Sequence, residues 1–162
     1  MDFQDIIFKL DRYWARQGCC LMPPCGGPSA QVSLAGAAGR RGLPPDGLAG
    51  LYRYRVNLRP APAEARRLFL DSFREAGIDR AEHDLRWLPL EGGLPGWLVL
   101  FDGQPLARFV LAAPAAGRGQ AGAEIEISLE LLALASQRKK RAADLAWSGR
   151  LTYGELHAGE AS

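Results

Sequence analysis

The stretch Leu51-Tyr52-Arg53-Tyr54-Arg55-Val56-Asn57-Leu58-Arg59 alternates residue by residue, with Tyr52, Tyr54, Val56 and Leu58 on one side and Arg53, Arg55, Asn57 and Arg59 on the other. Successive side chains of a strand point to opposite faces, so this period of two predicts a β-strand with one apolar and one charged face. Pro60 and Pro62 end it, and the spacing of Leu68, Phe69, Ser72 and Phe73 predicts a helix over Ala63 to Ala76, closed by Gly77. The chain therefore turns back on its own sheet.

Downstream, Leu85 to Leu90, Trp97 to Phe101 and Leu106 to Ala112 read as strands, the last two joined by the hairpin signal Asp102-Gly103. Glu124 to Ala135 begins with alternation and passes into helical spacing at Leu129, Leu132 and Ala133, which predicts a strand feeding a helix. Upstream, Phe3, Ile6, Ile7, Leu10, Tyr13 and Trp14 predict an amphipathic helix ending at Gly18, followed by a short strand at Cys19 to Met22. Gly26 to Gly50, rich in Gly, Ala and Pro, reads as irregular, and residues 155–162 read as a tail. Together these elements predict one α+β domain over residues 1–162, an antiparallel sheet flanked by helices on one side.

Composition narrows the function classes. The 162 residues carry 20 basic and 18 acidic side chains, a net charge of +2, so no global field favours a polyanion and no DNA partner is expected. No apolar run approaches the roughly 20 residues of a bilayer span, and Asp2 and Asp5 stand where a signal peptide would be basic; a cytoplasmic protein is expected. Cys19, Cys20 and Cys25 are an odd number in one stretch, which fits reduced thiols better than a disulfide framework, and without a second Cys/His pair they predict no metal site. The run Arg138-Lys139-Lys140-Arg141 reads as cations at a helix C-terminus, with nucleic-acid contact as the other reading.

Tyr13-Trp14-Ala15-Arg16-Gln17-Gly18-Cys19 resembles the end of the opening helix of the bacterial glycine–tRNA ligase alpha subunit, a class II aminoacyl-tRNA synthetase. The similarity continues in order through Tyr52 to Pro62, Leu70 to Gly77, His83-Asp84, Gly96-Trp97, Asp144 to Ser148 and Thr152-Tyr153-Gly154. It implies the antiparallel class II synthetase-like sheet, an ancestral ATP- and magnesium-dependent activation of glycine with transfer to tRNA, a beta subunit and tRNA as partners, and a homodimer through the first helix. The chain stops soon after Tyr153, where family members continue with a helical region. That weighs against the usual alpha-two, beta-two assembly while leaving the first-helix contacts in place.

The same resemblance marks candidate residues. Arg40 and Arg41 lie where the family places an arginine on the alpha-phosphate; read alone, they are two arginines in a loop. Tyr54 lies where the family packs an aromatic ring on adenine; read alone, it is a strand tyrosine packed on the sheet. Glu130 is the acid left from the family's Gly-Leu-Glu-Arg, here Ser128-Leu129-Glu130-Leu131, and is equally a carboxylate on a helix surface. Leu131 replaces the arginine that clamps the gamma-phosphate, a loss no apolar side chain makes good. Leu98 replaces a carboxylate, Arg108 to Pro114 replace a largely polar strand, and Leu48-Ala49-Gly50 replace a longer ATP loop. Eroded ligands in separate motifs predict a degenerate paralogue with weak or no catalysis, the alternative being a non-catalytic binding module for a small ligand, tRNA or protein partner.

Overall fold

A computed structural model describes residues 1–22, 30–36, 51–112 and 122–158. Helix α1, Phe3–Arg16, starts at a capping box in which Asp2 Oδ1 accepts from the Asp5 N–H at 2.8 Å and Asp5 Oδ2 accepts from the Asp2 N–H at 3.1 Å. It buries Phe3, Ile6, Leu10, Tyr13 and Trp14 along one stripe. Helix α2, Ala65–Glu75, buries Ala65, Phe69, Ser72 and Phe73 and ends where Gly77 adopts φ +77°.

The main sheet comprises β1 (Cys20–Leu21), β2 (Gln31–Gly36), β3 (Tyr52–Leu58), β4 (Leu85–Pro89), β5 (Gly96–Phe101), β6 (Gln104–Ala112) and β7 (Gly122–Ser128), in the spatial order β1-β2-β3-β7-β6-β5-β4. Every pairing is antiparallel except that of β1 with β2, which is parallel. Strand β7 inserts between β3 and β6, so the early strand and the later hairpin form one sheet. The β5–β6 hairpin turns through Asp102 and Gly103, both at positive φ (51° and 81°), as its two-residue connection requires. Helix α3, Leu129–Gln137, follows β7 directly, and Ser128 caps it by accepting from the Leu131 N–H. A two-stranded ribbon, β8 (Ala146–Ser148) with β9 (Leu151–Thr152), leads into α4, Tyr153–His157.

Two expectations need correction. The stretch expected to be irregular contains β2, which pairs with β3 from Gln31↔Asn57 to Gly36↔Tyr52. Val32 and Leu34 alternate with Gln31 and Ser33 for only four residues before Ala35-Gly36, too short a period to mark a strand, and the ladder to β3 supplies the order. The expected tail begins inside α4, which Thr152 caps by accepting from the Glu155 N–H.

The pleat sorts the sheet into two faces. Tyr54, Val56, Ile125, Ile127, Phe109 and Val99 are buried beneath Phe3, Leu10, Trp14, Phe69, Phe73 and Leu132 of the helices. Phe69 is the hub of the α2 contact, with ring centroids 5.0 Å from Phe73, 5.8 Å from Trp87 and 6.1 Å from Phe109. Phe69→Ala removes those contacts and leaves a cavity, so chemical denaturation is expected to show a loss of roughly 3–5 kcal/mol. A loss below about 1 kcal/mol would mean that this layer collapses around the gap.

Candidate functional site

The face of the sheet away from the helices carries the charged half of the alternation. Pairing lines up Ser33, Arg55, Glu126, Arg108, Leu98 and Leu88 in one row across β2, β3, β7, β6, β5 and β4. The next row holds Gln31, Asn57, Glu124, Val110 and Gly96. Gly96 sits so close to β6 that a Cβ there would collide with the Phe109 carbonyl.

Glu126 bridges two arginines on this face. Its Oε2 accepts from Arg53 Nη1 at 3.0 Å, and its Oε1 lies 3.1 Å from Arg55 Nε. The Arg53 side chain is only 6% exposed, so Glu126 offsets a charge taken out of water. Arg59 Nη2 lies 3.2 Å from Glu124 Oε1, and its Nε donates to Asn57 Oδ1. Arg108, half-buried between Glu126 and Leu98, has no hydrogen bond or ion pair among the described residues.

The sequence-predicted residues are not gathered on this face. Arg40 and Arg41 lie outside the described residues, as does Cys25. Tyr54 faces the helices: it is fully buried, and its hydroxyl donates to Asp11 Oδ1 at 2.7 Å. Burial, then the hydrogen bond and negative charge of Asp11, push the phenol well above its ordinary range. With both sides of its ring covered, Tyr54 cannot pack on adenine; the pleat that puts its arginine neighbours on the open face puts it in the core.

Glu130 is buried rather than on the helix surface, at 4% exposure. Its Oε1 accepts from the Leu51 N–H at 2.8 Å, the Tyr52 N–H at 2.9 Å and the Tyr153 hydroxyl at 3.0 Å. It thereby ties α3 to the start of β3 and to α4. Burial pushes its carboxyl above the ordinary range despite those donors. His157 completes the tie, with Nδ1 2.8 Å from the Tyr153 carbonyl and Nε2 2.8 Å from the Tyr52 hydroxyl. Since a carbonyl only accepts, Nδ1 carries a proton toward Tyr153.

His83 is likewise structural, with Nδ1 2.6 Å from Asp102 Oδ2 at the hairpin turn. Burial alone would raise the Asp102 carboxyl, but donation from the Asp84 N–H and from His83 outweighs it and leaves the group below its ordinary range. Arg138 and Arg141 pair with Glu82 and Asp144 just past the end of α3.

The charged residues of the open face were legible as the polar side of a strand, but not as a cluster. Which arginine meets which glutamate depends on the β3–β7 and β7–β6 registers, and local sequence does not specify those partners. Glu124 and Glu126 are both engaged by arginines, and no group of three or more His, Cys, Asp or Glu side chains among the described residues could hold a metal ion.

A family model described as glycyl-tRNA synthetase alpha subunit matches residues 29–161. Among solved structures, the pyrrolysyl-tRNA synthetase PylSc of Desulfitobacterium hafniense is similar with a TM-score of 0.65 at 12% identity, over 93% of this chain and 72% of that one. A second structure of the pyrrolysyl-tRNA synthetase from the same organism gives a TM-score of 0.64 at 11% identity, over 94% of this chain and 75% of that one. The shared fold is that of the class II synthetase catalytic domain, with its sheet flanked by helices.

The protonation of Glu130 links the tie to pH. Its folded-state pKa stands above the ordinary value of 4.5, so the stability held by its proton is fully present below that value and is lost as pH rises through the folded pKa. Glu130→Gln keeps an accepting oxygen but cannot ionise. Urea midpoints from about pH 4 to 8 should show the wild type losing stability relative to the variant as pH rises. Parallel pH profiles would contradict the raised pKa.

Proposed function

The chain belongs to the glycyl-tRNA synthetase alpha subunit family, and we propose that it is a degenerate member that keeps the class II scaffold as a binding module with weak or no amino-acid activation. The observation that carries this reading is the placement of Glu130. The acid remaining from the third motif is enclosed by three donors that hold β3, α3 and α4 together, while the adjacent Leu131 packs partly buried against the core. A carboxylate committed to the frame and a leucine in place of a guanidinium bring no positive charge to a triphosphate, which supports this reading.

ATP with magnesium is the cofactor the family implies, and the described residues fit it poorly. Tyr54 offers no ring face, and Glu124 and Glu126 are occupied by arginines. No catalytic step is therefore derived through ATP. The ion-paired open face remains suited to recognition, because its charges are held in place by one another and ordered before any ligand arrives.

A synthetase beta subunit and tRNA are the partners that family membership suggests, and a homodimer through α1 is the proposed assembly. Phe8 on the outer side of α1 is 62% exposed and Leu21 of β1 is 56% exposed, apolar surface that a second copy would cover. No helix among the described residues is long and apolar enough to cross a membrane, and the cytoplasm is the proposed compartment.

Glycine-dependent ATP–pyrophosphate exchange by the purified chain, measured with and without a beta subunit, tests the reading. The expected outcome is no exchange above the blank in either case. Exchange that requires both glycine and the chain would overturn it.

A further inference from the structure

On the open face, the β4–β6 side differs in kind from the β3–β7 side. Glu126 is shared by Arg53 and Arg55, and Glu124 is paired with Arg59, so the acids of this face are committed toward β3. Arg108, next in the row after Glu126, has no ion pair or hydrogen bond among the described residues although it is half-buried. The residues nearest it on the other side are apolar, and Arg86, further along β4 on the same face, is taken up by Asp84. Leu98 is its direct partner on β5, Leu88 pairs with Leu98, and Val110 lies two positions further along β6 on the same face. Leu98 and Val110 are half-buried like Arg108 and Leu88 is 42% exposed, so a guanidinium borders a partly open aliphatic floor.

From this juxtaposition we infer that the open face binds a small monocarboxylate with an aliphatic chain, its carboxylate held by Arg108 and its chain lying over Leu98, Val110 and Leu88. The inference rests on the binding-module reading above and supplies its ligand class. A guanidinium fork matches a carboxylate in a bidentate pair, and that pair strengthens where the surroundings exclude water. With neighbouring strands ~4.8 Å apart, Leu88 lies about 10 Å from Arg108 along the row, room for a chain of about six carbons. Among the described residues, one cation without an ion pair beside leucines, with Arg86 of the same face already paired with Asp84, favours a singly charged, partly apolar ligand over a phosphate. It also disfavours glycine, whose ammonium group would meet Leu98 where the resemblance places a carboxylate.

An NMR titration of the full chain with hexanoate, glycine and inorganic phosphate tests this, following the Arg108 Nε–H and the methyl groups of Leu98, Val110 and Leu88. Hexanoate is expected to shift all four residues saturably, and glycine and phosphate at least tenfold less tightly. Arg108→Gln should weaken hexanoate tenfold or more. Leu98→Asn should weaken it several-fold while leaving the Arg108 resonance responsive. No saturable shift with hexanoate, or undiminished binding in a folded Arg108→Gln chain, would overturn the inference; phosphate binding tighter than hexanoate would overturn the carboxylate assignment. The titration contains no ATP. A negative result therefore removes this ligand class without restoring catalysis, whereas pyrophosphate exchange removes the binding-module reading whatever the titration gives.

Discussion

Strand β3 cannot slip by one residue in the sheet, because its two faces are chemically incompatible with each other's surroundings. Tyr54, Val56 and Leu58 are buried under α1 and the other helices, while Arg53, Arg55 and Asn57 lie on the far side. A slip of one residue would drive arginines beneath the helices and turn the apolar set to the open face, at a cost no local rearrangement offsets. Both neighbours are positioned by this strand: β2 on one side from Gln31↔Asn57, β7 on the other from Arg53↔Ser128. Through β7 the constraint reaches the β4–β5–β6 meander. The Glu130 tie then fixes the start of β3 against α3 and α4.

The elements that strong periodicity marks were legible in the sequence. α1, α2, β3, the β5–β6 hairpin and the passage from β7 into α3 lie where alternation, helical spacing, Gly77 and Asp102-Gly103 put them. Strand β2 was not legible, because Gln31-Val32-Ser33-Leu34-Ala35-Gly36 has few large side chains and gains its order from pairing with β3. The environments of Tyr54 and Glu130 were hidden for a related reason. Sequence gives the type of each side chain, but Asp11 beneath Tyr54 and Tyr153 above Glu130 are tertiary partners 43 and 23 residues away.

Resemblance and geometry carry different parts of the account. Family membership rests on residues 29–161 and fixes the scaffold, while the similar solved structures, at 11–12% identity, speak for the fold alone. Function has to be read from the site itself. There, the adenine-stacking candidate is a core residue bonded to Asp11, and the remaining motif acid is held among donors of β3 and α4.

This reassignment has an electrostatic consequence for what the open face can recognise. A site for a triphosphate and metal needs surplus positive charge for the phosphates and free carboxylates for the ion. Here Glu126 and Glu124 are drawn into pairs with Arg53, Arg55 and Arg59, which lowers the available charge of both signs together. Arg108 stands outside those pairs, its row neighbours toward β4 are Leu98 and Leu88, and Arg86 further along β4 is paired with Asp84. Among the described residues, such a face discriminates by one oriented charge and by aliphatic contact. That combination favours a small, partly apolar monoanion, because a more highly charged ligand would leave its extra charges desolvated and unpaired over Leu98 and Leu88.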